Sequence, residues 1–165
     1  MVRKAAAQFA HYVEDLARGI STAQPYFVDG AARLAGKRSK VNPFPTKPGV
    51  YLILRRVALP QNDYSTRGVN TQSPLVLYVG KTTSRRALKQ RLADHFGGTT
   101  PNYQGSQFRK FLFQVCQDHD TVKRILWSSD TLVACVEIDE GDEVIDAVEK
   151  LAIQVFQPRF NIKER

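Results

Sequence analysis

The sequence predicts an α+β fold, a small, mostly antiparallel three-stranded sheet flanked by helices. Three observations carry the prediction. GVYLILRRVAL and PLVLYVG are apolar runs of strand length, separated by a polar stretch with turn formers at both ends. TLVACVEI is a third such run, placed far downstream and apolar enough to lie centrally. Segments with helical spacing surround these runs, in the order helix, two strands, two or three helices, strand, helix.

Each element has its own local reason. Residues 4–18 form the first predicted helix, because Phe9, Tyr12, Val13 and Leu16 recur near helical spacing and Gly19 is a natural stop. The stretch 36–48, GKRSKVNPFPTKP, holds three prolines and four basic residues and reads as a linker or arm. Residues 1–44 are therefore read as an N-terminal helix with a basic, proline-rich arm, and 45–165 as the main domain. The first two strands form a hairpin across the loop LPQNDYSTRGVNTQSP. A helix over 84–96 places Leu88, Leu92 and Phe96 on one face, and Gly97-Gly98 end it. Ser106 is the expected N-cap of SQFRKFLFQVCQDH, with Phe108, Leu112 and Val115 on its buried side, and 120–127 continue as a short helix. The last helix spans 142–156, with an apolar stripe from Val144 to Phe156, and Pro158 stops it.

At 165 residues the chain is long enough for one domain with a proper core. Apolar content of 42% and charged content of 24% are ordinary for a globular protein. No apolar stretch approaches the roughly 18 residues that cross a bilayer, so no membrane association is expected. The N-terminus MVRKAAAQFAHYVED turns polar too early for a secretory signal. Cys116 and Cys135 sit in apolar segments without zinc-ligand spacing, which suggests buried free thiols and a reduced, cytoplasmic setting.

The net charge is +8, from 24 Lys and Arg against 16 Asp and Glu. A basic surface supplies the salt-dependent part of nucleic-acid affinity through counterion release. The charge is uneven. Arg33 to Lys47 carries five basic residues and no acid, Lys81 to Arg91 carries five more and no acid, and acids gather from Glu137 to Glu149.

Two tripeptides stand out on the first two strands, Gly49-Val50-Tyr51 and Tyr78-Val79-Gly80. Arg91 and His95 follow, four residues apart and so on one helix face; then come Glu149, beside the apolar stripe of the last helix, and Asn161 in PRFN. In this order the residues resemble the GIY-YIG nuclease family, over roughly residues 45 to 161. The resemblance implies a three-stranded sheet with surrounding helices, and hydrolysis of nucleic-acid phosphodiesters with one divalent metal ion. It implies that Tyr51 contacts or deprotonates the attacking water and that Tyr78 helps to place the scissile phosphate. Arg91 would be a fixed cation for phosphate, and His95 a base or phosphate ligand. Lys81 would lower the proton affinity of a tyrosine or hold a phosphate. Glu149 would be the metal carboxylate, with Glu143 and Asp146 as neighbouring competitors. One carboxylate plus water and phosphate oxygens suits Mg²⁺, and Mn²⁺ fits similarly. Asn161 would support hydrogen bonding at the site.

The tyrosines are 27 residues apart, wider than the compact family pattern, with an insertion of the kind that restriction-enzyme members carry. The resemblance therefore points first to a type II restriction endonuclease acting as a homodimer on palindromic double-stranded DNA. A structure-specific repair nuclease, a mobile-element nuclease and a noncatalytic nucleic-acid-binding module of the same fold are the alternatives. Expected DNA contacts are Lys37, Arg38 and Lys40 of the arm, Arg67 of the insertion, and Arg85, Arg86 and Lys89 of the predicted 84–96 helix. Ser106, Arg109 and Lys110, at a helix N-terminus suited to phosphate, complete the set.

Overall fold

The computed structural model describes residues 2–57, 59, 75–83, 85–97 and 106–161. Helix α1 spans Val2–Gly19, and a 3-10 turn covers Ile20–Thr22. Then come α2 (Gly30–Leu34), β1 (Gly49–Arg55) and β2 (Leu75–Lys81). Helices α3 (Leu88–Phe96), α4 (Gln107–Cys116) and α5 (His119–Trp127) precede β3 (Thr131–Glu137) and α6 (Asp142–Phe156). The architecture is α+β, with a three-stranded antiparallel sheet in the order β2-β1-β3, flanked by helices. Arg67 and most of the loop that follows β1 lie outside the described residues.

One placement differs from the sequence reading. The TLVACVEI run is an edge strand, and β1 is the central one. All seven residues of β1 are buried, because it has a strand on each side and helices over both faces. The apolar content of β3 has another cause: α1 packs against it, and Gln24 bridges to Val133 on its outer side. The two backbone bonds there, Gln24 N–H to Val133 at 3.3 Å and Val133 N–H to Gln24 at 2.8 Å, close part of an edge that would otherwise be a pairing template.

Alternation along the strands divides the core in two. Tyr51, Ile53, Leu77 and Val133 face the helices α3 to α5, where Leu92, Phe96, Phe108 and Leu112 bury fully. Val50, Leu52, Leu54, Val79 and Ala134 face α1 and α6, meeting Leu16, Ile145, Val148 and Ala152. Each such large apolar side chain contributes about 1.5–3 kcal/mol of burial.

The N-terminal 1–44 segment enters both cores. Val13 and Leu16 of α1 join one, and Tyr26 and Phe27 join the other. The Tyr26 ring stacks near-parallel with Phe44 at 5.8 Å and with Phe96 at 5.0 Å. The basic arm is tied to the same segment: Val28 N–H donates to Lys40 at 2.8 Å, and Asn42 N–H to Tyr26 at 2.9 Å. The arm also sets the start of α3. Leu88 N–H donates to Lys47 and Lys89 N–H to Pro45, so first-turn donors are satisfied there, and the helix begins at Leu88 rather than at 84. Helix α2, which periodicity does not mark, is five residues long and is capped by Asp29, whose side chain accepts from Ala32 N–H at 3.0 Å.

The outer edge of β2 is closed by the segment after α6. Arg159 and Phe160 donate backbone N–H groups to Val76 and Leu77. The Asn161 side chain then acts like one more strand residue, accepting from Val79 N–H at 2.9 Å and donating to Val79 C=O at 2.8 Å. Asn161→Ala leaves both backbone groups of Val79 without this partner, and we expect a loss of about 1–3 kcal/mol in urea unfolding. Asn161→Asp keeps the acceptor and should lose less. A change within a few tenths of a kcal/mol in the alanine variant would show that the amide does not close this edge.

Candidate active site

The site forms where β1 and β2 run side by side at the end that leads to α3. The register pairs Tyr51 with Gly80 and Val50 with Lys81, so neighbouring positions point to opposite faces. Thr82 locks this end: its N–H donates to Gly49 C=O at 2.9 Å, and its hydroxyl accepts from Gly49 N–H at 3.0 Å.

Both glycines of the tripeptides have a physical reason. A Cβ on Gly80 would lie 2.2 Å from the Cζ and hydroxyl oxygen of Tyr51. The residue that Gly80 makes room for is thus Tyr51 itself, whose ring lies across β2. A Cβ on Gly49 would lie 1.9 Å from the Val136 carbonyl oxygen, so glycine permits the close approach of β3.

Tyr51 is fully buried. Its hydroxyl is 2.5 Å from Nε2 of His95, itself fully buried on α3. The other ring nitrogen, Nδ1, is 2.7 Å from the Ser106 hydroxyl. Ser106 is the N-cap of α4, as its position predicts, and accepts from Arg109 N–H at 3.1 Å. A buried chain of polar groups therefore runs from β1 through α3 to α4. Arg91, one turn before His95, also hydrogen-bonds the Tyr51 hydroxyl. Tyr78, half-buried, packs its ring 6.3 Å from Tyr51, 5.7 Å from His95 and 5.6 Å from Phe108.

Burial sets the charge states. His95 is held well below the usual imidazole range, first by desolvation and then by the guanidinium groups of Arg91, Arg109 and Arg86. Tyr51 is pushed well above the usual phenol range, chiefly by burial and by Tyr78, with Glu149 adding to it and Arg91 working the other way. Both groups are neutral near pH 7. With both ring nitrogens engaged and no exposure, His95 is placed to act through Tyr51 rather than on a phosphate directly.

The opposite face carries the carboxylates. Lys81 Nζ lies 2.6 Å from Asp146 and 3.0 Å from Glu149, two acids on successive turns of α6. Desolvation opposes the ammonium charge, but the hydrogen bonds to Asp146 and Glu149 outweigh it and raise Lys81 to about 12. Glu149 is buried at the edge of the apolar stripe. Among the described residues no three His, Cys, Asp or Glu side chains gather as a metal cluster. The donor chemistry fits one mode of divalent binding, a single carboxylate with the remaining positions left to water and ligand oxygens, as Mg²⁺ accepts. Glu149 is the carboxylate so placed, and Lys81 balances its charge in this structure.

Of the predicted residues, Tyr51, Tyr78, Lys81, Arg91, His95 and Glu149 come together, and Asn161 supports the backbone between Tyr78 and Gly80. Lys37, Arg38, Lys40, Arg85, Arg86, Lys89 and Lys110 lie at the surface, Lys40 half-buried among them. Ser106 and Arg109, expected at a phosphate-facing helix end, are buried instead at 2% and 5% exposure. The helix start is turned inward because Ser106 caps it while contacting His95. Two supporting acids escape the sequence reading as partners. Asp94 lies 2.5 Å from Arg86 and 3.6 Å from Arg91, and the i to i+3 spacing from Arg91 is the available signal. Asp146 reads in sequence only as a rival to Glu149; its partner Lys81 is 65 residues away. Cys116 and Cys135 are free and half-buried, and burial raises the Cys135 thiol to about 12.

The depressed His95 makes stability depend on pH. An unfolded histidine binds its proton near pH 6.5, and the folded one only well below that, so the unfolded state holds more protons in between. Stability is complete above about pH 6.5 and falls as the pH drops, with a limiting slope of about 1.4 kcal/mol per unit. We expect the unfolding free energy to decline between about pH 7 and pH 5, and His95→Gln to flatten that decline. An equal pH slope in the variant would show that His95 is not the group responsible.

No family model, curated protein or solved structure matches the chain.

Proposed function

We propose that the chain is a metal-dependent DNA endonuclease of the GIY-YIG type, most simply a type II restriction enzyme acting on double-stranded DNA. The observation that supports it best is the gathering of Tyr51, Tyr78, Arg91, His95, Lys81 and Glu149 around one end of a three-stranded sheet, in a chain of net charge +8. Phosphodiester hydrolysis needs an oriented water that loses a proton, and positive charge for the transition state and the leaving oxygen. Tyr51 is the hydroxyl nearest the polar chain and would handle the water. Arg91 and Lys81 are fixed cations that would face phosphate oxygens, and Tyr78 would position the phosphate. Glu149 would hold Mg²⁺ or Mn²⁺, which when bound stabilises charge on the phosphate oxygens. The surface residues Lys37, Arg38, Lys40, Arg85, Arg86, Lys89 and Lys110 would follow the DNA backbone.

A noncatalytic nucleic-acid-binding module is the second reading. It draws on the full burial of Tyr51 and on the pairing of Glu149 with Lys81. Plasmid cleavage with Mg²⁺ separates the two, and end sequencing assigns the type: discrete fragments mean restriction, smears mean structure-directed or nonspecific cutting.

Tyr51→Phe should lower the single-turnover rate by roughly 10²-fold or more, the scale of a proton-transfer group, while thermal unfolding shifts little. Glu149→Gln should abolish cleavage and leave DNA binding intact or tighter, since a repulsive charge is removed. Wild-type rates for either variant would overturn the roles assigned. Neutralising Lys37, Arg38 and Lys40 together should weaken binding and reduce the salt slope by roughly 0.9 for each phosphate that is no longer neutralised. An unchanged slope would show that the arm does not touch DNA.

A further inference from the structure

The Tyr51–His95–Ser106 chain has two alternative proton arrangements, and they give His95 opposite roles. A neutral imidazole has one N–H and one acceptor nitrogen. If Nδ1 carries the proton, His95 donates to Ser106, and Nε2 accepts the Tyr51 proton as a base. If Nε2 carries it, Ser106 donates to Nδ1, and His95 donates to the Tyr51 oxygen.

We propose that Ser106 is a positioning residue that fixes the His95 proton on Nε2, making His95 a hydrogen-bond donor to Tyr51 rather than a base. The inference rests on the reading of Tyr51 as the group that meets the attacking water. Three observations carry it. The Ser106 oxygen is already an acceptor, since it caps α4 by receiving Arg109 N–H at 3.1 Å. A second donor from Nδ1 would fill its remaining lone pair and turn the serine proton away from both partners, at a site 2% exposed. Donation to Nδ1 uses that proton where it lies, 2.7 Å from the ring.

The second observation is the surplus proton, which one end of the chain must direct elsewhere. At the Ser106 end it would sit behind α4. At the Tyr51 end it belongs to the oxygen grouped with Arg91, Tyr78 and Glu149. The third is Arg91, a donor that cannot accept and that already bonds the Tyr51 oxygen. A second donor from Nε2 completes a pair aimed at one phenolic oxygen, which stabilises negative charge there as the hydroxyl gives up hydrogen-bond density to substrate. No proton is transferred to His95 in this arrangement. The charged groups around the ring, Arg86, Arg91 and Arg109, all disfavour an imidazolium, which is what a histidine base would have to become.

The test is a two-bond ¹H–¹⁵N correlation spectrum of the full chain, labelled at histidine, near pH 7. Separate protonated and bare ring nitrogens identify the tautomer, and His95→Gln assigns the signals. The expected result is a His95 proton on Nε2. Ser106→Ala should shift the proton toward Nδ1 or mix the two forms, and lower cleavage by about tenfold, the scale of one lost hydrogen bond. Ser106→Thr, which keeps the hydroxyl, should restore both. Because Ser106 also caps α4, the alanine variant can lose stability, so the wild-type spectrum is decisive by itself. A wild-type proton on Nδ1, or an unchanged tautomer in a folded alanine variant, overturns the proposal. Absence of cleavage by the wild type would overturn the hydrolase reading, and the spectrum would still report the tautomer.

Discussion

The Tyr51 ring lying across Gly80 is the contact on which the site is built. The central strand β1 is buried along its whole length, so a tyrosine on it would normally end in the core. The missing side chain at Gly80, directly opposite, lets the ring lean over β2 and brings its hydroxyl to His95 and Arg91 of α3. The contact also links three elements distant in sequence. The sheet meets α3 through Tyr51 and His95, and α3 meets α4 through His95 and Ser106. A buried polar chain of this kind is costly when partly satisfied and specifying when complete, which ties the placement of α3 and α4 to the hydroxyl at its end.

Charge at the site is arranged in clamps. Lys81 is held between Asp146 and Glu149, and Asp94 holds Arg86 and lies near Arg91. Each cation that would serve phosphate is thus oriented by a carboxylate from α3 or α6, and little ordering is left for the moment of binding. The half-buried setting matters here, because exposed pairs are screened and worth little. Under the proposed function these clamps position positive charge, and their direct contribution to stability is secondary.

A three-stranded sheet has two edges for one interior strand, and both edges are managed locally. Gln24 covers part of β3, and residues 159–161 cover β2. The covering segments come from near the two ends of the described chain. The N-terminal segment is therefore a structural part of the sheet's surroundings, with Tyr26 stacked between Phe44 and Phe96 and the arm's carbonyls receiving the first N–H groups of α3.

Much of this is legible in the sequence. Strand identity, the hairpin, the Ser106 cap and the bounds of α6 follow from local rules, since β-branched runs, turn residues and helical periodicity act over a few residues. The site residues are legible as types and order, because Arg91 and His95 share a helix face whatever lies around them. Depth and partnership come only with the tertiary structure. That β1 and not β3 is central depends on Gln24 and α1 covering β3. That Ser106 and Arg109 turn inward depends on where α3 places His95. That Gly80 yields to Tyr51 depends on a register set across a long loop. Burial and long-range pairing are properties of the packed chain, and a hydroxyl at a helix start reads the same in sequence whether it meets water or a buried imidazole.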